Sequence, residues 1–203
     1  MVVLATSGGG HPNASNSAPA ESGLLATTAR EASGATVDGI QCQSMEQALF
    51  HIHAHLAVYV DGHQQLIPEG TGIPDAQVHQ STDGPFASAS SCLYWLHSHT
   101  RDGIIHIESP VQRTFTLGNY FDIWKQPLSA GQVGPAKGRV TAYVNAKRCA
   151  GAPGSIPLKA HELIQLDLGT PLVHPSRTRL RRASDAGVLF ELDRVSAPEQ
   201  WSA

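Results

Sequence analysis

The sequence has few charged residues and no long apolar run. Of its 203 residues 15% are charged, and the formal net charge is −3, which gives no electrostatic reason to expect a nucleic acid as a partner. No stretch approaches the roughly 20 apolar residues of a transmembrane helix, so no transmembrane span is predicted. Hydrophobic residues make up 41% of the chain, a composition typical of globular proteins.

Cysteine is also scarce, and familiar catalytic motifs are missing. Cys42, Cys92 and Cys149 lie far apart and form no C-x-x-C pair, which excludes zinc-ribbon and thioredoxin motifs. In an oxidising compartment Cys42 and Cys92 could pair, and three reduced thiols are the alternative. Neither H-E-x-x-H nor G-x-S-x-G occurs, so neither a zinc protease of that type nor an α/β-hydrolase is indicated.

Histidine, by contrast, is abundant and clustered. The chain contains 11 histidines, where background usage would give about five. Clustered imidazoles most often ligate metals. The candidate metal ligands lie in two short windows and are His51, His53, His55, His97, His99 and His106.

The chain divides into three parts by composition. Residues 1–37 are predicted to be a flexible tether, because they are rich in glycine, serine, alanine and asparagine. Their apolar start has no basic leader, so a signal peptide is expected to be truncated or absent. Residues 38–172 are predicted to form a single β-rich metal-binding domain, and residues 173–203 an atypical, arginine-rich tail.

The periodicity of the central part favours strands. In His51–Val60, polar and apolar residues alternate, and Asp61-Gly62 is a strong hairpin signal before a returning strand at Gln64–Ile67. Further strands are predicted over 93–99, 104–108, 139–145 and 163–168, and a helix over 116–124. The predicted fold is a β-rich α+β protein with an antiparallel or mixed sheet and one short helix, either β-grasp-like or a small jelly-roll or cupin-like barrel.

A hairpin turn at residues 102–103 would bring the second histidine cluster together. With these two residues at the centre of the turn, His99 opposes His106 and His97 opposes Glu108, all on one face. Imidazoles placed in this way can converge on one metal ion. Glu108 could be a ligand, a group that orients a histidine, or a catalytic base, and is the one candidate catalytic residue.

All-imidazole ligation without a thiolate favours copper, with zinc as the alternative. Two classes of function follow for such a site. The first is a histidine-rich protein outside the cytoplasm that binds or handles the metal without turnover. The second is a mononuclear copper oxidoreductase, with a zinc-dependent hydrolase as a weaker variant of the enzyme hypothesis.

Three motifs carry a resemblance to known sequences. With HIHAHL at 51–56, CLYWLHSH at 92–99 and GIIHIESP at 103–110, the chain resembles a group of uncharacterised exported bacterial proteins over about residues 38–170. The resemblance implies a bacterial source and a secreted, periplasmic or cell-surface location. The arginine-rich sequence after residue 174 departs from the Pro- and aromatic-rich ending of that group, which suggests a substituted C-terminus.

Overall fold

A computed structural model describes residues 21–82 and 84–175. The predicted β-rich architecture, with a mixed sheet and one short α-helix, is confirmed for these residues. A short 3₁₀ helix covers Pro153–Ser155. The strands and the helix are β1 (Glu21–Leu24), β2 (Cys42–Gln43), β3 (Phe50–Val60), β4 (His63–Leu66), β5 (Gln77–Ser81), β6 (Gly84–Ser88), β7 (Leu93–Tyr94), β8 (Leu96–His97), β9 (Ile104–Ser109), α1 (Leu117–Trp124), β10 (Leu128–Ser129), β11 (Gln132–Val133), β12 (Ala136–Lys137), β13 (Val140–Val144), β14 (Lys147–Arg148) and β15 (Leu163–Leu168).

The long strand β3 is the centre of the main sheet. The first half of β3 pairs antiparallel with β9, and its second half pairs antiparallel with β4 and parallel with β15. The strand order is β1-β4-β3-β15-β13-β14, and β8 is added through β9. Ala54, Leu56 and Val58 of β3 are buried in the core, as the period-two alternation predicts.

The turn after β3 and the helix form as the sequence predicts. Asp61 and Gly62 both have positive φ, 50° and 80°, which is the signature of a type I′ hairpin turn. Thr116 caps α1, because its hydroxyl accepts a hydrogen bond from the Asn119 backbone N–H. The buried face of α1 ends with Trp124.

The register of the second histidine hairpin differs from the prediction. His97 opposes His106, whereas the prediction paired His99 with His106 and His97 with Glu108. The reason is that residues 98–103 form a wider loop instead of a two-residue turn. The Asp102 carboxylate accepts a hydrogen bond from the Ile104 N–H at 3.0 Å, which holds the end of this loop at the start of β9.

The predicted strand over 93–99 is also wrong as one continuous element. It is divided at Trp95 into β7, which pairs with β2, and β8, which pairs with β9. Beyond β8, Ser98 bonds to the backbone of Thr71, and the His99 carbonyl accepts from the Ala87 N–H at 2.8 Å. Between residues 93 and 99 the backbone therefore changes its hydrogen-bonding partner three times, from β2 to β9, then to Thr71 and then to Ala87. The periodicity of the sequence does not predict these changes.

Part of the segment predicted to be a tether is folded. From residue 21 onward it contains β1, and Leu25 and Ala32 are 5% and 2% exposed in the core. The tether prediction is therefore wrong for residues 21–37. Leu25 and Ala32 pack in the main hydrophobic core, against residues that are distant in the sequence. Residues 1–20 and the arginine-rich segment from 176 onward lie outside the described residues, and the domain boundaries otherwise stay a prediction.

Two further observations bear on location. Cys42 and Cys92 form a disulfide bond, whereas Cys149 is free. A disulfide is compatible with a protein outside the cytoplasm. Among residues 21–82 and 84–175, no helix has both the length and the apolar character needed to cross a membrane.

We expect removal of the disulfide to destabilise the fold strongly. The bond closes a sequence separation of 50 residues, and the chain-entropy model gives about 4 kcal/mol for a loop of that size. Urea titration of Cys42→Ser/Cys92→Ser should show a loss of this order. The matched control is Cys149→Ser, which should stay within about 1 kcal/mol of wild type. Equal stability of the double variant and wild type would show that this bond does not constrain the chain.

The half-buried carboxyl group of Glu31 should make stability depend on pH. Burial raises the pKa of Glu31 to about 7, and its carboxylate accepts from the Gly72 N–H at 2.9 Å. The pKa of Glu31 is higher in the folded state than in the unfolded state, so the folded state favours the protonated carboxyl. The contribution of Glu31 to stability is therefore greatest at low pH, and it is lost as the pH rises through 7. Between pH 5 and pH 8, wild type should therefore lose about 2 kcal/mol relative to Glu31→Gln. Parallel pH profiles of the two proteins in urea titrations would contradict the burial of this group.

Candidate metal centre

Three adjacent strands present the histidines on one face. β9 lies between β3 and β8, and its residue His106 is opposite both His53 on β3 and His97 on β8. Two residues further along each strand, His51 on β3 is opposite Glu108 on β9. Directly opposed side chains in antiparallel strands are close enough to share a ligand. His106 therefore occupies the middle of a row of imidazoles that crosses the sheet.

Four donor atoms, one from each of His51, His53, His106 and Glu108, form a closed ring that we call the outer group. The His51 Nε2–His53 Nε2, His53 Nε2–His106 Nδ1 and His106 Nδ1–Glu108 Oε1 distances are each 3.1 Å. The ring closes with 3.2 Å between Glu108 Oε1 and His51 Nε2. Each residue uses the same atom for both of its contacts, so the four donor atoms form one compact ring.

The spacing of the outer group fits a transition-metal ion. All four donor atoms lie within 4.8 Å of one another. Two ligands 3.1 Å apart, each at the 2.0–2.1 Å typical of a metal–nitrogen bond, subtend an angle of about 100° at the metal. That angle lies between the square-planar and tetrahedral values. These residues could therefore hold one metal ion.

The second group, which we call the inner group, consists of His97, His99 and His106. The Nε2 atoms of His97 and His99 are 3.1 Å apart. Their Nδ1 atoms lie 2.8 Å from the Tyr94 carbonyl oxygen and 2.6 Å from the Ala87 carbonyl oxygen, respectively. A carbonyl oxygen only accepts, so both Nδ1 atoms carry the proton and both Nε2 atoms present lone pairs. Such contacts orient a ligating imidazole.

The loop between β2 and β3 supplies a further carboxylate. Glu46 joins His97 and Glu108 in a third group of potential ligands, and its Oε1 lies 3.6 Å from His99 Nε2. The sequence analysis missed Glu46, because the residue type and spacing of a lone glutamate in a non-periodic loop do not identify a ligand. One feature of the sequence could have indicated it: Glu46 lies four residues after Cys42, whose disulfide holds the start of this loop against β7.

The exposure of the side chains decreases across the centre, from His51 at the surface to His97 in the interior. The side chain of His51 is 41% exposed, whereas those of His97 and Glu108 are 0% and 2% exposed. The ring of Phe86 stacks on His99 with an interplanar angle of 3°. The outer group is therefore open to solvent on one side, and the inner group is enclosed by the protein.

Burial also controls the charge of the site. It lowers the pKa of His106 to about 3, that of His53 to about 4 and that of His97 well below its usual value, and neighbouring histidines add to the effect. Neutral imidazole is the form that binds metal, so these rings are available as ligands at neutral pH. Burial, assisted by Glu46, raises the pKa of Glu108 to about 7.

One sequence-predicted ligand lies apart from the others. His55 is opposite Ile104 at the far end of the β3–β9 ladder, and it belongs to none of the potential metal groups among the described residues. Its Nε2 lies 3.3 Å from the place that a Cβ atom on Gly103 would occupy, and burial lowers its pKa while Asp102 opposes that shift. The structure thus brings together His51, His53, His97, His99 and His106 with Glu108, and leaves His55 at the loop.

We expect the tautomers of the inner imidazoles to be detectable. In the metal-free protein at neutral pH, His97 and His99 should both carry their proton on Nδ1, because each Nδ1 faces a backbone carbonyl. Long-range ¹⁵N–¹H correlation spectra report the tautomer directly, and the exposed His79 serves as the reference for a ring in free exchange. Protons on Nε2 in both rings would show that the backbone contacts are not as described.

Comparisons with other proteins leave the site to be interpreted from its own geometry. Neither protein-family models, nor curated proteins, nor solved structures gave a significant match to this chain.

Proposed function

We propose that the protein is an extracytoplasmic metal-binding protein that binds or handles a divalent transition metal, with copper as the first choice and zinc as the second. The single observation that carries the proposal is the closed ring of donors in the outer group, whose edges are 3.1 to 3.2 Å long. Three imidazole nitrogens and one carboxylate oxygen form a donor set typical of copper(II) and zinc(II). The Irving–Williams order favours copper where both metals are available.

The exposure of the site supports handling of the metal rather than a purely structural role. His51 is exposed and His53 is half-buried, so a metal ion in the outer group can reach solvent or a partner by passing these two rings. A structural zinc site is usually closed on all sides. The rigid pairing of β3 and β9 sets the spacing of the donors in advance, which lowers the ordering cost of binding.

A location outside the cytoplasm is part of the proposal. The Cys42–Cys92 disulfide supports it, because such bonds persist mainly in oxidising compartments. The resemblance to exported bacterial proteins points the same way. Copper(II), rather than copper(I), is the form expected under oxidising conditions, and histidine nitrogen suits copper(II) better than thiolate does.

The second candidate function is a mononuclear copper oxidoreductase. It is favoured by the solvent-facing side of the outer group at His51, because oxygen or peroxide could approach a metal there. A zinc-dependent hydrolase has less support. Its candidate base, Glu108, lies 3.1 and 3.2 Å from the nitrogens of His106 and His51, which suits a ligand better than a group free to accept a proton from water.

The test is metal binding by the full chain purified without an affinity tag. We expect at least one copper(II) per chain by elemental analysis after loading, with an electron paramagnetic resonance signal of nitrogen-ligated copper. His106→Ala should weaken copper binding by about 100-fold or more, since loss of groups that merely orient ligands already costs about 10–100-fold. His63→Ala, which removes an exposed histidine beside the opposite end of β3, is the matched control and should bind as wild type does.

Two results would overturn the proposal: no metal retained by wild type even after loading, or equal affinity of His106→Ala and His63→Ala. Stoichiometric zinc with no affinity for copper would support the binding function and replace the metal. Consumption of oxygen or peroxide by the copper-loaded protein, lost in His106→Ala, would favour the oxidoreductase over the carrier.

A further inference from the structure

We propose that the inner group is a second metal position, so that the centre holds two metal ions side by side. This inference rests on the proposed function and extends it, because one four-coordinate ion in the outer group leaves His97 and His99 unused. The two groups differ in exposure and in the way their ligands are anchored. They share His106, and Glu108 of the outer group also belongs to the third group, with Glu46 and His97.

The first argument is the orientation of the inner imidazoles. Both Nδ1 protons of His97 and His99 are directed at backbone carbonyl oxygens, so neither Nε2 has a proton to offer the other. Two lone pairs that face each other across 3.1 Å repel, unless a cation lies where both can bind it. The Nδ1 lone pair of His106 already serves the outer group, and one lone pair binds one metal ion. Glu46 and Glu108 form an overlapping group with His97, and they complete the ligand set of the inner ion.

The second argument is the number and position of the donors. The Glu108 Oε1 atom lies 3.2 Å from His51 Nε2 in the outer group and 3.9 Å from His97 Nε2 in the inner group. Its other oxygen, Oε2, is buried and has no hydrogen-bond partner among the described residues. A buried carboxylate oxygen without a partner is costly. A carboxylate that serves two metal ions satisfies both of its oxygens, and two-metal sites are commonly arranged about 3.5–4 Å apart.

The anchoring of the two groups predicts unequal metal ions. His99 is fixed by two contacts to Ala87, since its carbonyl accepts from the Ala87 N–H and its Nδ1 donates to the Ala87 carbonyl. Phe86 covers the ring of His99, and His97 is fully buried. The inner ion should therefore exchange slowly, whereas the outer ion, beside the exposed His51, should exchange quickly.

The experiment is a copper(II) titration of the full chain, followed by elemental analysis and electron paramagnetic resonance. Wild type should bind two copper ions, and their magnetic coupling should leave a resonance signal much weaker than two isolated ions would give. His51→Ala/His53→Ala removes outer ligands, and His99→Leu removes an inner ligand while keeping an apolar contact for Phe86. Each variant should bind one copper ion and show the full signal of one uncoupled ion.

A second variant, at an exposed residue, tests the inner position even if His99→Leu impairs folding. Glu46 is largely exposed, at 59% of its side chain, and Glu46→Gln should weaken the second copper ion without changing the thermal unfolding transition of the metal-free protein. Gln47→Ala, in the same exposed loop, is the matched control and should bind two ions as wild type does.

The possible outcomes separate the two proposals. Wild type with one copper ion, lost in His51→Ala/His53→Ala, overturns the second position and leaves the proposed function standing. Wild type with one ion that only His99→Leu removes also overturns the two-metal centre, because a single ion would then lie in the inner group. No bound metal at all overturns both proposals. Two ions whose binding is unchanged in His99→Leu and Glu46→Gln would place the second ion elsewhere and overturn the inference.

Discussion

The pairing of β9 with β3 on one edge and with β8 on the other is the constraint on which the site depends. It places His106 between His53 and His97, and the same register puts His51 beside Glu108. Because side chains alternate across a strand, a slip of one residue in either pairing would turn the imidazoles of one strand towards the core. The apolar residues of the other face, such as Ile105 and Ile107, which are fully buried, hold the register in place.

Such a site is costly to build without a cation. His97, His99, His106 and Glu108 have low exposure, so their polar atoms lose hydrogen bonds to water when the chain folds. The lone pairs of neighbouring rings then face one another. A metal ion that binds the folded chain and not the unfolded one stabilises the folded state by mass action, and this offsets the cost of burying the polar groups. Metal binding and stability are therefore coupled, and the lowered pKa values of His53 and His106 keep the ligands free of competing protons.

The surroundings of the site are built from long-range contacts. The disulfide and the β2–β7 pair hold the start of the loop that carries Glu46, and the β5–β6 hairpin supplies Ala87 and Phe86 to His99. These segments are short, and Tyr94 of β7 and Ala87 of β6 also pack in hydrophobic core clusters. Their contribution is to fix the orientation of inner imidazoles, as groups around metal ligands commonly do.

The sequence by itself determined the β-rich class, the long central strand with its type I′ turn, the capped helix and the identity of the clustered histidines. These features are local, because alternation, turn residues and caps act within a few positions. Only the tertiary structure decided the register of His97 against His106, the separation of His55 from the other histidines, the arrival of Glu46 and the packing of residues 21–37. Each of these depends on which distant segments share an edge or a face, and short-range periodicity carries no information about that choice.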